Sequence, residues 1–555
     1  MGKSGTMSNL RDDDHTPELF VFYGTESGNA KIIALDAVKT LTQAGLGSRA
    51  LGLNEIAPQE LVKIRHAIFI VATSGDGEMP YNAIDFWDAL VADDFPPLEE
   101  LRYGVIALGE SVYEEFCAAG IAMDERLHTL GATRLVDRVD CDYDFEVHAA
   151  TWLEQALEPF ATSMAANVAE DTMTVVVGEA ADCGRPKYGG RIAEKRVLTR
   201  DGADREVFHY AIEVDRERTG SVPFDWSPGD SLNLFYENDP TLVKAIIDRL
   251  ELSPDSVPRG ASQSLAGLLA KELELRAISR ELVQAVADQV PESGLQQRLA
   301  RDTHAEFEQW RDTNDLLQLL LDHPEVAFDA ERLVSLLRPL QPRAYSIASS
   351  PEIDAGSIAL CIRTVHYREA EREHRGVVSG GLSKRARVGD LIAVQHVASP
   401  SFRLPEDPAA NIVMVGAGVG VAPFRAFLQH RAVRGDTGRN WLFHGIRHPQ
   451  EDELYATEFK AWNERGLLQT YDLCASRLAE GRRYVQDGMR ERGRELFEYL
   501  EAGGYLYVCG DAHHMAKGVR SALRDIAAGV LGSAANGEFF VEGLQANRRY
   551  RQDVY

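Results

Sequence analysis

Runs of hydroxyl and amide side chains set between glycines are the first residues in this chain with chemistry to offer. Gly24-Thr25-Glu26-Ser27-Gly28-Asn29-Ala30 follows the apolar run Leu19 to Tyr23 and precedes a helical pattern. At such a turn the backbone N–H groups converge at the positive end of a helix and can wrap a phosphate. Thr25, Ser27 and Asn29 add side-chain donors, and Gly24 and Gly28 allow the turn. Two further loops follow apolar runs in the same way: Thr73-Ser74-Gly75-Asp76-Gly77, and Leu108-Gly109-Glu110 with Tyr113 close behind. An aromatic there can stack on a planar ring. Taken singly, the first loop also fits a bare strand–helix turn, and Tyr113 also fits ordinary packing. Three such loops in order point to one site for a ring that carries a phosphate.

A second group lies far downstream. Arg343-Ala344-Tyr345-Ser346 offers a cation, an aromatic and a hydroxyl, and Gly376-Val377-Val378-Ser379 offers another glycine turn at a helix start. Alone the former fits a strand edge; together they fit a dinucleotide with a planar ring. Gly416-Ala417-Gly418-Val419-Gly420-Val421-Ala422-Pro423-Phe424-Arg425 is a third glycine-rich turn after a strand. Ser476, Arg477, Arg482, Tyr484 and Gln486 supply the cations and donors that a phosphate monoester requires. A solvated basic face is the alternative for that cluster. Cys509 ends a predicted strand, where most cysteines are core residues.

The elements that position these residues follow a readable rhythm. From Glu18 to about Ala161 short apolar strands alternate with helices, as in a parallel doubly wound sheet whose ligands sit at the carboxyl ends of the strands. Residues 164–186 read as a linker, rich in Ala, Asp and Glu apart from Val175-Val176-Val177. A flexible segment of that size spans roughly 25 Å r.m.s., enough to let the first domain swing. From about Lys187 the strands alternate in character, at Arg205 to Val214, Asp230 to Phe235, Ala344 to Ala348, Ile358 to Val365 and Leu391 to Val397. A mostly helical block from Thr241 to Leu337 interrupts them. Asn411 to Tyr555 returns to strand–helix alternation, with strands at Ile412 to Val415, Asn440 to His444, Leu468 to Leu473 and Tyr505 to Cys509.

With 555 residues the chain holds three or four domains, at roughly 150 residues each. No stretch approaches the roughly 20 unbroken apolar residues of a membrane span, and Met1 to His15 is polar and acidic, so a cytoplasmic protein is expected. Cys117, Cys141, Cys183, Cys361, Cys474 and Cys509 form no CxxC pair, which argues for reduced thiols and against a metal site. The net charge of −27 disfavours nucleic acid. It serves solubility or a docking face for a basic redox partner: Glu110, Glu114, Glu115, Asp140, Asp142, Asp144 and Glu146 cluster near the first loops.

The three N-terminal loops in this order resemble the flavodoxin-like domain of diflavin reductases. Arg343 to Ser346 with Gly376 to Ser379 resembles the paired flavin motifs of the ferredoxin–NADP reductase family, and Gly416 to Arg425 its nucleotide loop. Arg548-Arg549-Tyr550-Arg551-Gln552-Asp553-Val554-Tyr555, with Asn411 to Phe424 and Tyr505 to Ala516, is similar to the sulfite reductase flavoproteins rather than to P450 reductases. The resemblance covers nearly the whole chain beyond residue 17 and is weakest in the helical block. It implies a multidomain α/β protein. After a tail at 1–17 come a flavodoxin-like doubly wound FMN domain at 18–163 and the linker at 164–186. An FAD-binding β-barrel follows at 187–404, with a helical insertion at about 237–338, then a ferredoxin–NADP reductase-like NADPH domain at 405–555.

The same resemblance implies roles. FMN would lie on Thr25, Glu26, Ser27, Gly28, Asn29, Ala30, Thr73, Ser74, Gly75, Leu108, Gly109, Glu110 and Tyr113. In the FAD site Arg343 would neutralise the pyrophosphate and Tyr345 stack on the flavin, with Ser346 near its N5. Ala344, Cys361, Ile362, Arg363 and Tyr367 would line that site, and Gly376, Val377, Val378 and Ser379 would hold the pyrophosphate. Ser476, Arg477, Arg482, Tyr484 and Gln486 would select the 2′-phosphate of NADPH. Ser346, Cys509 and Asp553 would carry hydride transfer, and Tyr555 would cover the FAD ring. The chain departs from its relatives at Ser74, where many carry an aromatic, at Val419, where Thr is usual, and at Gly518, where Asp is common. The expected partner is the sirohaem and iron–sulfur haemoprotein that reduces sulfite to sulfide. Another haem partner such as a P450, or a non-catalytic assembly role, is the rival reading, and self-association is left open.

Overall fold

The computed structural model describes residues 19–25, 28–74, 77–110, 115–142, 145–166, 187–200, 202–214, 224–301, 304–369, 372–449, 451–478 and 481–554. The expected N-terminal tail, most of the expected linker, Glu26, Ser27, Gly75, Tyr113 and Tyr555 lie outside the described residues. The chain divides into two units, Met1–Arg185 and Pro186–Tyr555.

In the first unit, β1 (Leu19–Gly24), β2 (Ser48–Gly52), β3 (His66–Ala72), β4 (Arg102–Leu108) and β5 (Thr133–Arg134) form a sheet in the order β2-β1-β3-β4-β5. β6 (Val139–Cys141) also pairs with β4. Every pairing is parallel. β1, β3 and β4 are apolar runs buried on both faces, as a sheet sandwiched between helices requires. Separate cores centred on Phe22, Phe69 and Tyr103 and on Val21, Ile70 and Trp152 fill the two sides. β2, β5 and β6 lack that signature, being short or half-exposed, and have no counterpart in the strands read from sequence.

The second unit begins with an antiparallel sheet. It contains β7 (Lys187–Val197), β8 (Val207–Val214), β9 (Ser231–Phe235), β10 (Arg343–Ser346), β11 (Ser357–Arg363) and β14 (Leu391–Val397), in the order β10-β9-β14-β7-β8-β11. Its two edges meet where Ile347 bridges to Leu360 and Ala348 N–H donates to the Ala359 carbonyl at 2.7 Å, which closes the barrel. Helices from Pro240–Arg249 to Ala330–Leu336 intervene between β9 and β10 and bury a core of their own. Side chains of Asp239, Ser264, Ser279, Asp315 and Asp329 cap five of these helices, satisfying first-turn N–H groups that would otherwise lack partners. A charged hairpin, β12 (His366–Glu369) and β13 (Arg372–Arg375), leads into the helix Val377–Lys384.

The last segment is a parallel sheet of β15 (Ile412–Ala417), β16 (Asn440–Ile446), β17 (Thr470–Ala475), β18 (Tyr505–Gly510) and β19 (Tyr550–Val554), ordered β17-β16-β15-β18-β19. The chain's final described residues thus form an edge strand beside β18. Among the described residues no helix is long and apolar enough to cross a membrane, and no group of three or more His, Cys, Asp or Glu could hold a metal ion.

Candidate functional site

Three residues distant in sequence meet at the carboxyl end of β18. β19 pairs with β18 in parallel so that Asp553 stands opposite Cys509. Ser346, the last residue of β10, donates its hydroxyl to Asp553 Oδ2 at 2.7 Å. The Cys509 thiol donates to the same oxygen at 3.7 Å. Cys509 is fully buried. Burial first, and then the Asp553 charge, lift its pKa well above the usual thiol value, so the sulfur stays protonated at neutral pH. Burial also raises Asp553, while the hydrogen bonds from Ser346 and Cys509 pull it back. The result is a hydroxyl, a thiol and a carboxyl sharing one hydrogen-bonding centre.

The glycine-rich turn packs directly under this trio. A Cβ on Gly420 would stand 2.1 Å from the Cys509 carbonyl oxygen, so only glycine fits. Gly418 has φ +57° and nothing within 4 Å of its Cβ direction, leaving open space above the turn. Val419 packs against the apolar core, which explains an aliphatic side chain there. Arg425 ties the following helix, Ala422–Arg434, to the barrel through the Ala348 carbonyl at 2.7 Å, and also pairs with Glu458 at 2.8 Å.

The residues expected to select phosphate lie on the connection from β17 to the helix Val485–Glu491 and, for Gln486, in that helix's first turn. Ser476 Oγ donates to the Ile446 carbonyl at 3.1 Å. Arg477 is exposed, and the Arg482 guanidinium lies 4.6 Å from the Tyr484 ring centroid. Gln486 lies over Gly518, with Nε2 3.0 Å from where a Cβ would stand. Sequence reading did not anticipate that Arg477 belongs to a larger cationic group with Arg205, Arg363 and Arg447. Burial and the guanidinium groups of Arg363, Arg447 and Arg477 lower the Arg205 pKa. Asp204 balances part of that charge, at 3.2 Å from Arg447. These arginines come from four segments, so no spacing in the sequence could have grouped them.

The expected dinucleotide cradle is laced to the end of β11. Gly376 N–H donates to the Val365 carbonyl at 3.0 Å, and Val365 N–H donates to Ser379 Oγ at 3.1 Å. Val378 is buried in the barrel core. A cavity of about 370 Å³ opens beside Gly376 and Val377, with Arg276, Arg372 and Arg375 in its lining. Cations around a helix start match the charge of a diphosphate, so the donor set fits FAD. Arg343 is engaged by buried Glu274 at 3.1 Å, so its charge is shared with the helical insertion. Tyr345 packs against the barrel core, and burial raises its phenol pKa. Ala344 is exposed. Cys361 and Ile362 are buried, the Cys361 thiol pushed up to about 12 by burial, and Arg363 points to the cationic group. Tyr367 stacks on His374 with centroids 5.1 Å apart and accepts from Arg276 at 2.8 Å.

In the first unit the described loops all lie beyond β1, β3 and β4. Gly28, at φ 94°, donates its N–H to Thr25 Oγ1 at 2.9 Å and precedes the helix Asn29–Gln43, in which Ala30 is buried. Asn82 braces this loop, accepting from Thr25 N–H at 2.6 Å and donating to the Tyr23 carbonyl at 3.1 Å. No motif marked Asn82 in the sequence. Thr73 N–H donates to the Leu108 carbonyl, and Ser74 exchanges two backbone hydrogen bonds with Glu78. Leu108 is buried; Gly109 N–H donates to the Cys141 carbonyl at 3.0 Å, and a Cβ on Gly109 would stand 2.5 Å from Cys117 N. Glu110 follows directly on this tight turn. A helix start at φ-positive Gly28, with Thr25 folded over it, suits the single phosphate of FMN.

Family models match in the same order: Flavodoxin over residues 21–152, FAD binding domain over 185–380, and Oxidoreductase NAD-binding domain over 414–521. Fold and site together define a flavin-dependent oxidoreductase that uses FMN, FAD and a pyridine nucleotide. The chain is 34% identical over 545 residues to the sulfite reductase (NADPH) flavoprotein alpha-component of Bacillus subtilis, covering 97% of this chain and 89% of that protein. It is 33% identical to the Vibrio cholerae protein of that name, at 97% and 88% coverage, and 32% identical to that of Klebsiella pneumoniae, at 97% and 90%. The chain belongs to the sulfite reductase flavoprotein alpha-component family.

Proposed function

We propose that this chain passes electrons from NADPH through FAD and then FMN to a sulfite reductase haemoprotein, which reduces sulfite to sulfide. When bound, FAD would supply two-electron chemistry toward a nicotinamide, and FMN one-electron chemistry toward a haem acceptor. The observation that best supports the reading is the hydroxyl of Ser346 donating at 2.7 Å to Asp553, beside Cys509. Ser346 and protonated Cys509 orient the carboxyl, and together the three polar groups favour charge developing at a nicotinamide carbon. Arg477, Arg482 and Ser476 discriminate the 2′-phosphate, with Tyr484 and Gln486 flanking it. Arg343 and the turn at Gly376 to Ser379 hold the FAD diphosphate, Tyr345 backs the ring, and Tyr555 covers it. Tyr113 backs the FMN ring.

The domain division that suits this reading is the one drawn from sequence, with FMN on 18–163, FAD on 187–404 around the insertion at about 237–338, and NADPH on 405–555. The haemoprotein partner carries sirohaem and an iron–sulfur centre, and the pair works in the cytoplasm. The test is direct. Purified protein should be yellow and release FMN and FAD in near-equal amounts. With NADPH it should support sulfide production by a sirohaem haemoprotein. Colourless protein, or coupling to a P450 and not to the sirohaem protein, would contradict the proposal.

A further inference from the structure

The transfer trio depends on a second, buried point of attachment one rung below it. β18 and β19 place Tyr507 opposite Arg551, just as they place Cys509 opposite Asp553. Alternate residues of a strand share a face, so Tyr507 lies below Cys509 and Arg551 below Asp553. Both lower side chains reach the same atom. Tyr507 donates its hydroxyl to the Arg403 carbonyl at 2.7 Å, and Arg551 Nη1 donates to that carbonyl too. The Tyr507 ring is fully buried, and burial keeps its phenol protonated and able to donate.

Arg403 is in turn fixed to the strand that carries Ser346. Its guanidinium pairs with Asp230, which is 1% exposed. Asp230 also accepts from Ser227 N–H at 2.8 Å, Ser399 N–H at 2.8 Å and His396 Nε2 at 2.9 Å. The Asp230 carbonyl accepts from Ile347 N–H at 2.9 Å, next to Ser346. Gly229, at φ +101°, presses so closely on Phe402 that a Cβ would stand 2.0 Å from its carbonyl oxygen. One residue therefore spans two sheets: the side chain of Arg403 grips the barrel below Ser346, and its carbonyl grips the terminal sheet below Cys509 and Asp553.

We infer that Arg403, held by Asp230 and gripped by Tyr507 and Arg551, is a positioning residue that sets the distance between Ser346 and the Cys509–Asp553 pair during hydride transfer. The inference rests on the proposed role of that trio. A group held a fraction of an ångström out of line loses rate without losing the ligand, and misplacement by about 1 Å from a remote change can cost on the order of 100-fold.

The test uses the full-length flavoprotein with Tyr507→Phe, Arg551→Met and Arg551→Lys. Flavin bleaching by NADPH is followed anaerobically in a stopped-flow instrument, with C4-deuterated NADPH in parallel. Tyr507→Phe and Arg551→Met should each slow bleaching by about tenfold. The primary isotope effect should rise as transfer becomes limiting, with FAD content and NADPH affinity unchanged. Arg551→Lys, which keeps a donor, should recover most of the rate. Tyr507→Phe preserves the ring packing, so it remains informative if Arg551→Met folds poorly. Wild-type bleaching in both donor-deleted variants, or a loss that follows FAD content with no change in isotope effect, would overturn the inference. Ser346→Ala separates the two readings: if it alone slows transfer, only the positioning role fails; if it too is silent, the trio's role fails with it.

Discussion

The two units build their sites in opposite ways. In the first, the loops follow three neighbouring strands of one parallel sheet, and Thr25 to Ala30 is contiguous in the chain. In the second, the trio comes from a barrel strand, a sheet strand and the last strand of the chain, with Ser346 and Asp553 separated by 207 residues. A contiguous loop needs little beyond its own turn geometry and a single brace, here Asn82. An assembled site needs every closure between its parts to hold. The first kind should tolerate remote changes and lose ligand when touched; the second should keep its ligand and lose rate.

The largest effect should come from the assembled site. Asp553→Asn should slow flavin reduction by about 100-fold or more, as loss of a positioned charge-stabilising group does, while FMN and FAD content stay at wild-type levels. Rapid-mixing absorbance with flavin analysis would show it, and parallel loss of FAD would break the contrast. Next, Arg477→Ala combined with Ser476→Asp should lower kcat/KM for NADPH by about 100-fold, the weight of charge-assisted bonds to a phosphate, and change NADH use by less than about threefold. Equal losses would remove the 2′-phosphate assignment. Within the contiguous loop, Thr25→Ala deletes the acceptor for Gly28 N–H. It should weaken FMN retention by about tenfold and leave FAD reduction by NADPH unchanged.

Acid should separate the units more gently. Burial lowers His66 in the first unit to about 4, and His209 and His444 in the second to about 4 and 3. Unfolded imidazole binds a proton below about pH 6.5, whereas these folded ones do not until near those lower values, so stability falls as pH drops through that window. Thermal unfolding at pH 7 and pH 5 should show a larger loss for the second unit. His209→Gln should flatten its slope; an unchanged slope would count against the buried neutral state.

The same contrast explains what could be read in the sequence. β1, β3 and β4 announce themselves as apolar runs ending at glycine loops, and the order of the three N-terminal loops follows from that. The charged hairpin of β12 and β13, whose side chains are mostly at the surface, has no apolar alternation to betray it. Cys509 in isolation looks like a core cysteine, and only the register of β18 with β19 puts Asp553 beside it. Asn82, Arg205, Arg403 and Arg447 act through backbone carbonyls or through neighbours from other segments. Such partners become visible only when the chain is folded.

The relay from nicotinamide to FAD to FMN is tested most directly by removing FMN alone. FMN-stripped protein that retains FAD should still bleach its FAD with NADPH at the wild-type rate, yet fail to reduce the sirohaem haemoprotein until FMN is restored. Haemoprotein reduction at the full rate without FMN would contradict the account.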